Sequence, residues 1–449
     1  MSDTNDNKAT PDKPDQLSAA GTGPEAAAPA TVTEAPAAAP AETQEAPRQN
    51  QIVKEIVGGS AMISLLAVVL ALVFGGILIA LTDPVVQQTA TYFFARPGDM
   101  IGAIADAVGG AYAALFRGSV FNYLRADDFA AAIRPLTATL ANATPLIAAG
   151  LGVALAFRVG LFNIGGRGQI LIAAAAAGYV GAYVPLPPVI HLIVALVVGL
   201  IGGAIWGGIV GLLKARTGAH EVIVTIMLNY IAFYLISFLL RTPGALQAPG
   251  QSNPRSAPML ETAQFPKIAG DAYDLNLGFI LVIVATIYVW YLLNRSAMGF
   301  QFRAVGENPH AARVAGINVK ATYVKVMVIA GALVGLAGVQ QALGNFTGGI
   351  AAGLDAGIGF DAITVALLGR SKPVGVFFAG ILFGALKAGA VTMQAAEGIP
   401  VDIVLVVQSF IVLFIAAPPL VRSIFRLPTP DPNFHWRKPK LDRKAEVAK

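Results

Sequence analysis

Cysteine is absent from this chain, and charge is scarce. Without a thiol there is no disulfide framework, no thiolate metal site and no cysteine nucleophile. The four histidines, His191, His220, His310 and His435, stand singly and in no ligand spacing, so a metal centre has no support and each reads as a surface or interfacial residue. No phosphate-binding loop of the form GxxxxGK[ST] occurs, which excludes the chain as its own ATPase, and no paired carboxylates or nucleophile triad point to catalysis. What fills the 449 residues is apolar: 55% are hydrophobic, 13% are charged, 48 are glycine, and the mean hydropathy is +0.66. No water-soluble domain of this length normally has that balance, so the bulk of the chain belongs in lipid.

Residues 1–50 are a low-complexity Ala/Pro-rich stretch with eight acidic and three basic residues and almost no large apolar side chain. Such a segment cannot bury enough surface to offset the entropy of ordering, and it is expected to be disordered. It does not read as a signal peptide, because the first apolar run begins only after Val57 and continues too long. Roughly 20 apolar residues cross a bilayer as a helix. Runs of that kind lie at 58–81, 136–157, 168–184, 189–213, 221–240, 277–293, 322–343, 356–370, 373–394 and 402–420, the 356–370 run being short enough to be re-entrant. The expected fold is an all-α polytopic membrane protein of about ten transmembrane helices over 51–421. Alternate connections carry Arg158 and Arg167, Lys214 and Arg216, Arg295 to Lys320, and Arg370 with Lys372, whereas 185–188, 344–355 and 395–401 carry no Lys or Arg. The positive-inside rule then makes the first set cytoplasmic, together with both termini and the basic tail 422–449, and leaves the long connections 82–135 and 241–276 outside.

The soluble segment 295–320 is the most informative. Asn308 can cap a helix, Pro309 suits its first position, the following residues can wind about two turns, and Gly316 can stop them in a left-handed conformation. Small residues Ala311, Ala312 and Ala315 allow close packing, while Arg303, Glu307 and Arg313 supply charge for docking on a partner. An ordinary amphipathic connector would use the same residues. A second stretch, Gly160 to Val184, sets Phe162, Asn163 and Gln169 in glycine-rich surroundings, where amides can bond a polar solute or exposed backbone, or where small residues simply pack. Two charges, Asp361 and Lys387, fall inside predicted spans; at ~3 kcal/mol for an ionisable group at a helix centre they are expected to find partners, and they could pair with each other. Asn229, Gln340, Gln341, Asn345, Gln394 and Gln408 are further candidates for lining a path, and Phe162 and Phe360 could stack on a ring.

The run GENPHAARVAGINV resembles the cytoplasmic coupling segment of ABC-importer permeases, in the superfamily that handles branched-chain amino acids, simple sugars and nucleosides. Gly306, Asn308, Ala311, Ala312, Gly316 and Ile317 are the matching positions. The stretch FNIGGRGQ is similar to the FNIG-x-x-GQ signature of nucleoside permeases of the basic-membrane-protein type, although Arg167 stands where an acidic residue is usual. Gly359 to Ala395 resembles the C-terminal core of the same proteins. The likeness extends from about 140 to 420, and it implies a subunit with no cofactor of its own. ATP and Mg would be used by a partner ATPase, with a second permease chain, identical or homologous, and an extracytoplasmic substrate-binding protein completing a multi-pass assembly in a bacterial inner membrane. A sugar or branched-chain amino acid cargo, an ion-coupled carrier or channel working alone, and a membrane enzyme remain as alternatives.

Overall fold

The structure, a computed structural model, describes residues 60–427. The acidic segment 1–50 and most of the basic tail 422–449 lie outside the described residues. The helices are α1 (Ser60–Thr82), α2 (Pro84–Ala90), α3 (Pro97–Ser119), α4 (Phe129–Phe157) and α5 (Gly166–Tyr183). They continue with α6 (Ile190–Thr217), α7 (Glu221–Leu239), α8 (Gly278–Arg295), α9 (Ala297–Glu307) and α10 (Pro309–Val314). The last are α11 (Val319–Gln340), α12 (Ile358–Leu368), α13 (Pro373–Glu397), α14 (Asp402–Ala416) and α15 (Pro418–Phe425).

Among the described residues, eight helices are long and apolar enough to span a membrane, and nine if the pair α14 and α15, bent by 91°, is one span. Seven of the eight are runs expected from hydropathy. The eighth, α3, is a helix within the connection 82–135, where Asp99, Asp106, Arg117 and five glycines interrupt the apolar run and make it the least hydrophobic of the eight. Conversely, the run 356–370 yields only the 11 residues of α12. At 1.5 Å per residue that is about 16 Å, half of a ~30 Å hydrocarbon core. The run at 168–184 forms α5, whose alanines and glycines are mostly buried inside the protein and never face lipid as a sheath.

Lipid offers helices no hydrophobic reason to associate, so close backbone approach and dispersion must hold them together. The seam between α6 and α11 is the most extensive helix contact. Every fourth residue of α6 from His191 to Ala215 is buried, and Gly199, Gly203, Gly207 and Gly211 occupy the middle of that stripe. A Cβ on Gly203 would lie 2.4 Å from the Gly331 carbonyl oxygen, and one on Gly331 would lie 2.3 Å from that of Gly203. The two backbones therefore touch. Helix α5 packs on both, with the Ile170 carbonyl oxygen 2.3 Å from the position a Gly338 Cβ would take. His191, expected at the surface or an interface, is fully buried, with Nδ1 2.7 Å from Thr262 Oγ1 and Nε2 3.0 Å from the Val180 carbonyl oxygen. Its imidazole ties α6 to α5 and to the 241–276 connection.

Gly331→Val is expected to lower the thermal unfolding midpoint of the detergent-solubilised protein by an amount equivalent to about 1–3 kcal/mol, the usual cost of overpacking. Gly102→Ala, where a Cβ meets nothing within 4 Å, should leave the midpoint unchanged or slightly raised.

Candidate functional site

The connections grouped by charge in the sequence also meet in space. Arg158 Nε donates to the Ser371 carbonyl oxygen at 3.0 Å, and Gly306 lies so close to the Arg158 carbonyl that an added Cβ would approach it to 2.1 Å. The end of α4, the 295–320 segment and the turn before α13 thus share one basic face. On the opposite face, the 241–276 connection closes over 344–355 through bonds from Ser256 N to the Ile350 carbonyl oxygen at 3.0 Å and from Met259 N to that of Thr347 at 2.7 Å.

Toward that opposite face the bundle holds a polar cavity of about 540 Å³. It forms where helices are irregular. Pro145 in α4 has no N–H to give the Ala141 carbonyl, and Ala141, Asn142 and Pro145 all line the cavity. Across from them α11 ends in a π turn over Gln341–Asn345, a widening that frees side chains and often marks functional sites. Its amides are tied together: Gln340 Nε2 donates to Asn345 Oδ1 at 3.1 Å, Asn345 Nδ2 to Gln341 Oε1 at 2.6 Å, and Gln341 Nε2 to the Leu354 carbonyl oxygen at 3.1 Å. Gly344 lets the turn come this close, since a Cβ there would lie 2.8 Å from both Asn276 Nδ2 and Gln340 Nε2. Lys387 enters the same cavity and pairs with Asp361 at 2.7 Å, so the two intramembrane charges do find each other.

Of the residues proposed to line a path, Gln341, Asn345 and Lys387 line this cavity, and Asp361 joins through its ion pair. Asn163, Gln169 and Asn229 do not; they are buried and serve the backbone. Asn163 and Gln169 bond each other at 3.2–3.3 Å, while Asn229 Oδ1 accepts from Gly168 N at 2.8 Å and its Nδ2 donates to the Ile164 carbonyl oxygen at 2.9 Å. Together they cap the start of α5, whose first amides have no helical partners. Phe162 packs against Phe157 with ring centroids 4.9 Å apart and planes tilted by 45°, Phe360 is exposed outside the cavity, and the side chain of Gln394 is likewise exposed. The sequence reading missed Gln264, Lys267, Asp274 and Asn276, together with Phe265 and Phe346. The first five lie in a long connection whose fold back over the bundle leaves no periodic signal. Asp355 was also missed; it is buried and pairs with Arg167 at 3.3 Å, with the Arg167 guanidinium 4.7 Å from the Phe233 ring.

On the basic face, the capped helix forms as its residues imply. Asn308 Oδ1 accepts from His310 N at 2.9 Å and Ala311 N at 3.0 Å, Pro309 opens α10, and Gly316 turns the chain at φ +83°. A second helix, α9, precedes it and includes Arg303, Gly306 and Glu307, where the sequence reading placed no element. Phe302, Val305 and Ala312 anchor the pair to the bundle, with Ile317 partly buried beside them. Arg303, Glu307, Asn308, Ala311 and Arg313 remain exposed, and Val314 projects with 91% of its surface free. Asn318 Oδ1 then caps α11 by accepting from Ala321 N at 3.0 Å, so the surface helix leads directly into the helix that ends at the polar cavity.

A family described as "Branched-chain amino acid transport system / permease component" matches residues 135–416. The chain belongs to this permease family. The guanosine ABC transporter permease protein NupP of Bacillus subtilis is 38% identical over 286 residues, covering 64% of this chain and 82% of that protein. The nucleoside ABC transporter permease protein NupB of Lactococcus lactis is 36% identical over 289 residues, 63% of this chain and 79% of the relative. The glucose ABC transporter permease protein TsgB13 of Haloferax volcanii is 35% identical over 289 residues, 62% and 75% respectively. No solved structure matches the chain. The permease is a multi-pass plasma-membrane protein, and the matched span contains the glycine seam, the polar cavity and the α9–α10 surface.

Asp361 and Lys387 are each about a quarter exposed, so part of their attraction is screened. A double-mutant cycle with Asp361→Asn and Lys387→Met is expected to give a coupling of about 0.5–1 kcal/mol in thermal unfolding; additive effects would show that the pair contributes nothing.

Proposed function

We propose that this permease is the membrane subunit of an ATP-binding-cassette importer, and that its cargo is a nucleoside. The polar cavity carries this reading. Its volume lies within the ~300–1,000 Å³ usual for small-molecule sites. Its lining combines what a nucleoside needs: amides of Gln264, Gln341, Asn345 and Asn276 for the hydrogen-bonding edge of a base, Phe265 and Phe346 as apolar faces for the ring, and Lys387 and Asp274 for ribose hydroxyls. The guanosine and nucleoside permeases among the relatives support the same cargo.

The chain itself performs no covalent step and binds no cofactor. ATP and Mg act on a partner ATPase, which docks on the exposed residues of α9 and α10. Because Asn318 starts α11 at that surface and Gln341 ends it at the cavity, the helix is a lever some 33 Å long, at 1.5 Å per residue over 22 residues. Movement at the basic face is thereby delivered to the amides that hold the solute, which is the requirement of alternating access. The basic face is cytoplasmic, as are both termini, and the cavity receives solute from an extracytoplasmic binding protein. A second permease chain completes the route. A simple sugar is the second reading, favoured by the glucose permease relative.

The test is uptake of labelled guanosine and glucose by cells lacking the gene and supplied with the intact chain, Gln341→Ala or Asn345→Ala at equal membrane levels. The intact chain should restore guanosine uptake, and each variant should lower it about tenfold or more, as expected when a site loses a hydrogen-bonding partner. Restoration of glucose uptake alone would establish the second reading, and variants equal to the parent would remove the cavity from the path.

A further inference from the structure

A second cavity, of about 270 Å³, opens on the basic face and is unlike the first. Arg158 from the end of α4, Arg303 from α9 and Lys372 from the turn before α13 converge on it, and no carboxylate lines it. The ion pairs among the described residues, Arg167 with Asp355, Lys214 with Glu221 and Lys387 with Asp361, all lie elsewhere. Three like charges brought together from three elements repel unless an anion sits between them. Only the Nε–H of Arg158 is spent, on the Ser371 carbonyl oxygen, which leaves its terminal N–H groups for a ligand.

The rest of the lining states what kind of anion. Trp290 and Leu293 come from the last turns of α8, and Pro373 and Val374 from the first turn of α13, the depth at which these helices leave the hydrocarbon. A tryptophan at that level is the usual marker of the membrane interface. Below the cavity the lipid-facing surface continues down the same two helices through Ile287, Val284 and Phe378, which are 60%, 56% and 64% exposed. The occupant must be anionic at one end and apolar along the rest.

We propose that this cavity binds the phosphate headgroup of an anionic phospholipid, with the acyl chains lying along α8 and α13. Guanidinium groups hold phosphate oxygens in paired hydrogen bonds, and basic pockets between transmembrane helices are the places where such lipids settle. The lipid bridges α4, α9 and α13, and so braces the docking surface against the bundle. Arg303 then serves the membrane side of α9, leaving Glu307, Asn308, Ala311 and Arg313 to face a partner. This inference does not depend on the identity of the cargo.

The experiment is native mass spectrometry of the purified full-length permease, delipidated and titrated with dioleoyl-phosphatidylglycerol or dioleoyl-phosphatidylcholine, with and without excess inorganic phosphate. The intact protein should retain phosphatidylglycerol in preference to phosphatidylcholine, and inorganic phosphate should not displace it. Arg303→Gln/Lys372→Gln should lower that retention about tenfold or more, while Lys320→Gln/Lys325→Gln, which removes two exposed cations outside the cavity, should not. If the double variant proves unstable on thermal unfolding, Lys372→Glu alone replaces it, with the same loss expected. Equal retention of the two lipids, undiminished retention by the cavity variants, or displacement by phosphate would each overturn the proposal, the last by showing a site for a free anion.

Discussion

The contact of α6 with α11, backbone against backbone, is the constraint on which the remainder of this structure depends. In water such a seam would be one contribution among many. In lipid, where apolar side chains gain nothing by leaving the hydrocarbon for each other, the approach permitted by Gly203, Gly207 and Gly331 is what brings two helices and then a third, α5, into one body. With three helices so close, the bulkier side chains are displaced outward to lipid, and the polar groups of α5 and α7 are left inside to satisfy one another. The Asn163, Gln169 and Asn229 cluster is a consequence of that enclosure, since the start of α5 is buried and its amide groups must be answered by side chains.

The same seam runs along the helix that links the polar cavity to the α9–α10 surface. Helix α11 has its N-cap on the basic face and its π turn at the polar cavity, so one rigid element joins the exposed charges and Val314 of the α9–α10 surface to a ring of amides beside an ion pair. Charge is arranged to match. Asp361 pairs with Lys387 and buried Asp355 with Arg167, while Arg158, Arg303 and Lys372 converge on a cavity that no carboxylate lines.

Much of this was legible from residue order, and what was not has identifiable physical causes. Runs of apolar residues locate spans because a bilayer demands length, and α10 could be read because a cap, a proline and a terminating glycine are local signals. The pairing of Asp361 with Lys387 was legible because an ionisable group in lipid has few options. Helix α3 leaves no clear apolar run because it carries Asp99, Asp106 and Arg117, and the run 356–370 does not by itself show that only 11 of its residues wind as α12. The cavity was only half visible. Gln341 and Asn345 are conspicuous polar residues at the end of an apolar helix, but Gln264, Lys267 and Asp274 reach it through a tertiary fold of a loop, and the amides of Asn163 and Gln169 look the same in sequence whether they face a solute or a helix end.

In the proposed mechanism, work done on the basic face by a separate ATPase is delivered to a cavity that holds solute. The decisive measurement is accumulation of labelled guanosine by proteoliposomes containing this permease with its binding protein, with and without the ATPase subunit and with ATP on the ATPase side. Accumulation that requires both the ATPase and ATP is the predicted result. Accumulation by the permease alone, driven by an ion gradient, would contradict the account and make the Asp361–Lys387 pair the site of energy coupling.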